Sequence, residues 1–161
     1  MENYIITEKF TLIPTKWYNQ EYLGEIFGLK ETEVVKSYTL PNHNATLVCA
    51  FPEDNAKKDA TPLVMHLIEH LDKITDHNKI IINYNKELNL LTAVASEGNK
   101  LLLANSFRCT HINTLLYFLT LICQQVMFNT QITCINIYGK IETEEEKLIS
   151  RYFQKISYIN Q

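Results

Sequence analysis

The chain has 161 residues, 46% of them hydrophobic and 20% charged, which is enough apolar material for one sizeable core or two small ones and excludes a disordered chain as the default. Its net charge of -3 and pI near 5.9 give no basic footprint, so nucleic acid is not an expected partner, and the pair Lys57-Lys58, flanked by Asp54 and Asp59, reads as a solvated loop. No apolar run reaches the roughly 18 to 20 residues that a bilayer span requires, so no membrane span is expected.

The four cysteines, Cys49, Cys109, Cys123 and Cys134, are widely spaced, form no C-x-x-C pair and follow no secretory segment. That usage points to a reducing, cytoplasmic compartment, with Cys49, Cys123 and Cys134 as small core residues.

Along the chain, Lys9 to Ile13 alternates and stops at Pro14, the pattern of a strand closed by a residue that cannot donate to the ladder. A helix is expected next, capped by Thr15, with Trp17, Tyr18, Tyr22, Leu23, Ile26 and Phe27 as an aromatic core stripe that ends at Gly28. Glu33 to Leu40 and Ala45 to Phe51 read as a hairpin turned by Pro41-Asn42-His43-Asn44. Thr61-Pro62 is expected as the N-cap and first position of a helix with Leu63, Val64, Leu67, Ile68, Leu71 and Ile74 on one face. His66 and His70 are four apart with Glu69 between them, which fits a reversed zinc-binding pattern, but a solvated polar face explains the same residues more simply.

From Lys79 the pattern becomes three strands, Ile80 to Asn83, Leu88 to Ala95 and Lys100 to Phe107, the last two joined at Glu97-Gly98-Asn99. A long amphipathic helix from about His111 to Met127 follows, then a strand from Thr133 to Tyr138 broken by Gly139. Thr143-Glu144-Glu145-Glu146 reads as a capping box opening a last helix through about Ile156. The fold class expected is therefore α/β with a mixed (α+β) sheet, in two parts: residues 1–77 in the order β-α-β-β-α and residues 78–161 in the order β-β-β-α-β-α.

The order β-β-β-α-β-α, with a polar turn after its first strand and a lone glycine after its fourth, resembles the RNase H-like second lobe of the actin-like ATPase superfamily. More closely, Lys100 to Phe107, Leu116-Tyr117, Tyr138-Gly139-Lys140, Leu12-Ile13-Pro14 with Tyr22-Leu23, and Phe51-Pro52 are similar to a Bacteroidetes family, domain of unknown function 3822. Members of that family resemble a two-lobed protein whose first lobe opens with a phosphate-loop hairpin. No such hairpin precedes Tyr4, so a shortened or fragmentary member with a partial first lobe is expected.

The resemblance implies a nucleotide cleft in which an acidic residue and a glycine hold the metal and let phosphate approach the backbone. The matching turn here is Asn83-Tyr84-Asn85-Lys86, which offers magnesium no charge and phosphate no glycine. A glycine pair after the later strand is likewise reduced to Gly139 followed by Lys140. The expected site is a degenerate nucleotide cleft lined by Asn83, Asn85, Lys86, Gly139 and Lys140, with no catalytic residue, no metal ligand and no cofactor, ATP with magnesium being the disfavoured alternative. An RNase H-type nuclease is disfavoured for the same want of carboxylates. Ser106, Cys109 and His111 are close in sequence, which a helix cap explains better than a triad. A non-catalytic scaffold that binds a protein partner is the leading expectation, with Trp17, Tyr152 and Tyr158 as aromatic anchors. A nucleotide- or phosphate-binding protein is the alternative. Nothing in the pattern sets an oligomeric state.

Overall fold

The structure is a computed structural model that describes residues 4–19, 21, 23–56 and 60–159. The chain divides into two compact units, Met1–His66 and Leu67–Gln161. This division falls inside a helix, whereas the sequence pattern put the boundary after it, between residues 77 and 78.

In the first unit, β1 (Tyr4–Ile5) stands apart from a sheet that begins with β2 (Phe10–Pro14). Between β2 and β3 (Glu33–Leu40) the structure departs from expectation. The segment forms a 3-10 turn at Thr15–Trp17 and a four-residue helix, α1 (Leu23–Ile26), rather than one helix. Pro14 occupies the N-cap position of the 3-10 turn, so Thr15 caps nothing, and Trp17 is 72% exposed instead of buried. The reason is local: aromatic residues and Gly24 are poor helix formers, and the stretch is too short to repay nucleation. Tyr18 leaves the helical register, and its hydroxyl lies 2.7 Å from the Ser37 hydroxyl of β3. Tyr22 lies outside the described residues.

The hairpin is present. β3 pairs antiparallel with β4 (Ala45–Pro52) in the order β2-β4-β3, and β4 is central and apolar, with Leu47 through Phe51 buried. Its turn is a 3-10 turn at Pro41–His43 closed by Asn44 in the left-handed region, φ 50°. Lys9 ties the sheet to the segment before β3 through Glu33 at 2.7 Å and the Gly28 carbonyl at 3.1 Å. The hydrogen bond from Lys9 holds the Glu33 carboxyl below the ordinary carboxylate range.

After α2 (Glu53–Ala56), Thr61-Pro62 is not a helix start. It forms β5 (Thr61–Pro62), parallel to β1, and α3 (Leu63–Leu71) begins one residue later. Leu63, Val64, Leu67, Ile68 and Leu71 are buried as expected, while Ile74 lies beyond the helix. The Leu71 carbonyl accepts from the buried Lys79 ammonium at 3.3 Å, a cation at the helix end whose dipole favours it.

The second unit is a five-stranded sheet, β10-β9-β6-β7-β8. β6 (Asn78–Asn85), β7 (Leu90–Glu97) and β8 (Lys100–Arg108) form an antiparallel meander. After α4 (Ile112–Val126), β9 (Cys134–Tyr138) returns parallel to β6, as the element order requires. One face of the sheet carries Ile80, Ile82, Leu91, Ile135 and Ile137 against Leu115, Leu119 and Ile122 of α4. Each such side chain contributes about 1.5–3 kcal/mol when fully buried. α4 is closed by His111, whose Nδ1 accepts from the Asn113 amide at 3.1 Å, and by Met127 in the left-handed region, φ 61°. The last helix, α5 (Thr143–Ser150), stops short of its expected end at Ile156. Lys155-Ile156-Ser157-Tyr158-Ile159 instead forms β10 (Lys155–Ile159), parallel to β9, with Ile156 packed on the core.

Two asparagines bind the parallel seam. The Asn136 amide of β9 donates to the Ile80 carbonyl of β6 at 3.0 Å, and the Asn83 amide of β6 donates to the Tyr138 carbonyl of β9 at 2.8 Å. Both side chains are buried. Replacing Asn136 with Ala removes a buried side-chain donor from a carbonyl that the β6–β9 ladder also serves, which costs about 0.5–1.5 kcal/mol. The expected outcome is a lower urea midpoint for Asn136→Ala at unchanged m-value, and an unchanged midpoint would show that the clamp stabilises nothing.

Candidate functional site

Asn83, Tyr84 and Asn85 are strand residues, not a turn. β6 runs on through them, with Asn83 opposite Thr92, Tyr84 opposite Leu91 and Asn85 opposite Leu90. The alternation Ile80, Ile82, Tyr84 on the core face carries the strand past its polar end, and the Tyr84 hydroxyl donates to the Cys109 carbonyl at 3.2 Å. The real turn is Lys86 to Asn89. The Asn85 side-chain oxygen accepts from the Leu88 amide at 2.9 Å, and Asn89 takes a left-handed φ of 51°. An asparagine just ahead of such a turn stabilises it through this side-chain acceptor.

The carboxyl ends of the parallel strands β6 and β9 lie side by side, the place where open α/β sheets form ligand crevices. A cleft of about 470 Å³ opens there, lined by Tyr84, Asn85, Lys86, Glu87, Lys140, Ile141, Glu142 and Glu145. Of the residues named from sequence, Asn85, Lys86 and Lys140 line it. Asn83 does not: its amide is engaged by Tyr138, and its side-chain oxygen is buried with no hydrogen-bond partner. Gly139 does not line it either, but its φ of 95° turns the chain from β9 toward Lys140.

The acidic half of the cleft was absent from the sequence reading. Lys86 lies 2.6 Å from Glu142 and 3.3 Å from Glu145, and the Glu145 side chain is only 4% exposed. The same two carboxylates form the capping box of α5, with the Glu142 backbone amide donating to Glu145 at 2.7 Å. The box therefore starts at Glu142, one residue before the expected Thr143. The capping-box residues were visible in the sequence as a glutamate run, but their pairing with a lysine 56 residues away was not.

The remaining sequence candidates are structural. His66 Nε2 lies 2.6 Å from the Thr61 hydroxyl, and in the second unit the His70 ring packs 5.3 Å from that of Tyr138. Among the described residues no group of three or more His, Cys, Asp or Glu side chains is placed to hold a metal. Burial raises the Cys109 thiol above its ordinary range, and its sulfur contacts the His111 carbonyl, while the His111 ring caps α4.

This architecture is that of the actin-like ATPase fold. A crystal structure from Bacteroides thetaiotaomicron VPI-5482, described as a protein with actin-like ATPase fold and unknown function, matches with a TM-score of 0.80 at 19% identity over 96% of this chain and 66% of that one. The chain thus spans just under two thirds of that protein's length. It belongs to the family described as protein of unknown function (DUF3822), which matches residues 4–156. No curated protein matches the chain.

The Lys86 cluster makes stability depend on pH at the alkaline end. The hydrogen bond to Glu142, against the opposing effect of burial, raises the Lys86 ammonium above its ordinary value of 10.5. A group raised on folding stabilises fully below its unfolded pKa, and that contribution is lost as pH rises through the folded one. Lys86→Met is therefore expected to lower Tm at pH 8, with the gap to wild type narrowing once the pH passes 10.5. A gap that stays constant into the alkaline range would rule out the ion pair as its cause.

Proposed function

We propose that this chain is a non-catalytic actin-like protein that works by binding a protein partner, its nucleotide cleft having degenerated. The observation that carries this reading is the occupation of the cleft's cation. Lys86, the residue best placed to meet a phosphate, is held between Glu142 and Glu145, and Glu87 adds a third carboxylate to the rim. Phosphate entering that rim would meet like charge.

The residues present do not fit a magnesium nucleotide. Asn83 is neutral, its amide is bound to Tyr138, and it lies outside the cleft lining, while Asn85 is engaged by the Leu88 amide. Aromatic anchors suited to a partner stand at the surface, with Trp17 72%, Tyr152 47% and Tyr158 44% exposed. Among the described residues no helix is long and apolar enough to cross a membrane. The four free cysteines and the Bacteroides neighbour support a cytoplasmic protein of Bacteroidetes.

A second reading rests on one observation. Lys140, exposed at the rim beside the turn at Gly139, is a cation with which an uncomplexed phosphate would pair.

Titration of the protein with ATP plus Mg²⁺ and, separately, with inorganic phosphate, followed by calorimetry and thermal melts, separates the two. A ligand that binds only the folded state at about 100 times its Kd stabilises by about 2.7 kcal/mol, a shift of several degrees. No heat and no shift are expected. A saturable rise in Tm that Lys140→Met abolishes would replace the scaffold reading with the phosphate one.

A further inference from the structure

We propose that the outer face of α4 is a self-association surface, on which a second copy of this chain docks its own α4 antiparallel to form a two-fold dimer. α4 holds no charged side chain in its 15 residues. Its exposed positions, Asn113, Tyr117, Thr120, Gln124 and, at the C-cap, Met127, recur at intervals of four, three, four and three. That is the spacing of a seam that faces another helix, with the half-buried Leu116 and Leu121 at its sides. A helix whose outer face meets only water carries charge there. α5, which shares the same core through Ile149, does so: it exposes Glu144, Glu146 and Lys147.

Charge selects a second copy as the occupant. The chain carries 18 acidic residues and a net charge of -3, so two copies repel over most of their surface, yet residues 98–141 contain no Asp or Glu. α4 lies within that stretch, and two copies meeting there set none of its side chains against a like charge. An unlike partner is steered by opposite charge, and this face offers it none.

The stripe also matches itself. With the two-fold axis at Thr120, Tyr117 of each copy lies opposite Gln124 of the other, where the phenol can donate to the side-chain carbonyl, and Asn113 lies opposite Met127. Thr120 at the centre is small enough for the helix axes to approach to about 8–10 Å. Tyr117 is held ready: it is 62% exposed, and its ring stands edge-on to that of Phe118 at 5.3 Å, which packs 4.8 Å from Phe107. α4 contributes nothing to the cleft lining, so such a dimer neither needs nor excludes the partner described above.

One helix face buries less than the roughly 1,600 Å² of a standard interface, so the dimer is expected to be weak and to dissociate on dilution through the micromolar range. The test is sedimentation velocity of the chain from about 1 to 200 µM, where interfaces of this size associate. Thr120→Glu and Thr120→Lys each set like charges against one another across the axis, at a position exposed enough to leave the fold alone. The expected result is a concentration-dependent wild-type dimer, at least tenfold weaker in either variant at unchanged Tm, and recovered when the two variants are mixed in equal amounts. If a charge variant melts early, Tyr117→Ala decides instead, with the same tenfold loss expected. A chain that stays monomeric throughout would overturn the proposal. So would a dimer that all three substitutions leave intact, which would assign self-association to another face. A mixture that fails to recover would rule out the two-fold at Thr120.

Discussion

The parallel seam between β6 and β9 is the constraint on which the second unit depends. Only three residue pairs form its ladder, Ile80 with Ile135, Ile81 with Asn136 and Ile82 with Ile137. Parallel pairing is slightly weaker per residue than antiparallel pairing, and this one joins segments separated by two strands and a helix. The Asn83 clamp carries the connection past the carboxyl end of that short ladder, and the Asn136 clamp reinforces it from within. By fixing the register they bring Tyr84 to Glu87 alongside Lys140 to Glu145, which is what creates the cleft. The same register puts Ile80, Ile82, Ile135 and Ile137 on one face, so α4 packs against a continuous apolar surface.

Elements whose periodicity agrees with their burial were legible in the sequence. The β3–β4 hairpin, the meander of β6 to β8, α4 and β9 all emerged within a few residues of their observed ends, because each has one apolar face and a recognisable terminus. The stretch from Thr15 to Phe27 was not legible: its aromatics repeat at helical spacing, but that spacing does not reveal that Tyr18 pairs with Ser37. Thr61-Pro62 carries the same signal as a helix start and is used instead to pair with β1, a partner 57 residues earlier in sequence at Tyr4. Asn83 to Asn85 were expected as a turn because they match the turn after the first strand of the actin-like lobes, and pairing with β7 carries the strand through them instead.

The candidate site was half legible for a related reason. Asn85, Lys86 and Lys140 could be placed at one cleft because they match the turns that line it in the actin-like lobes the sequence resembles. Glu145 was read only as part of a helix cap beginning at Thr143, and Glu142 was given no role. Their second role depends on the seam, which turns the α5 N-terminus toward Lys86. The positive end of the helix and a lysine both favour negative charge, and the protein's own carboxylates supply it. The result is that Lys86 is paired within the protein.

Residue 83 shows why a metal site and this seam compete for one position. An aspartate there would offer charge to a cation but could not donate to the Tyr138 carbonyl, and at 2.8 Å the two oxygens would repel. Burying that carboxylate without a partner would cost several kcal/mol unless a cation stayed bound. Asparagine reverses the balance: it loses the charge and gains a donor that binds β6 to β9 in the absence of any ligand. The exchange is incomplete, because the Asn83 side-chain oxygen is left buried without a partner. Part of the clamp's benefit is offset by that unsatisfied acceptor. Asn136 adds its amide to a carbonyl already inside the β6–β9 ladder, so the two clamps act at different places along the seam. The donor at residue 83 therefore ties β6 to β9 through a bond made within the protein itself.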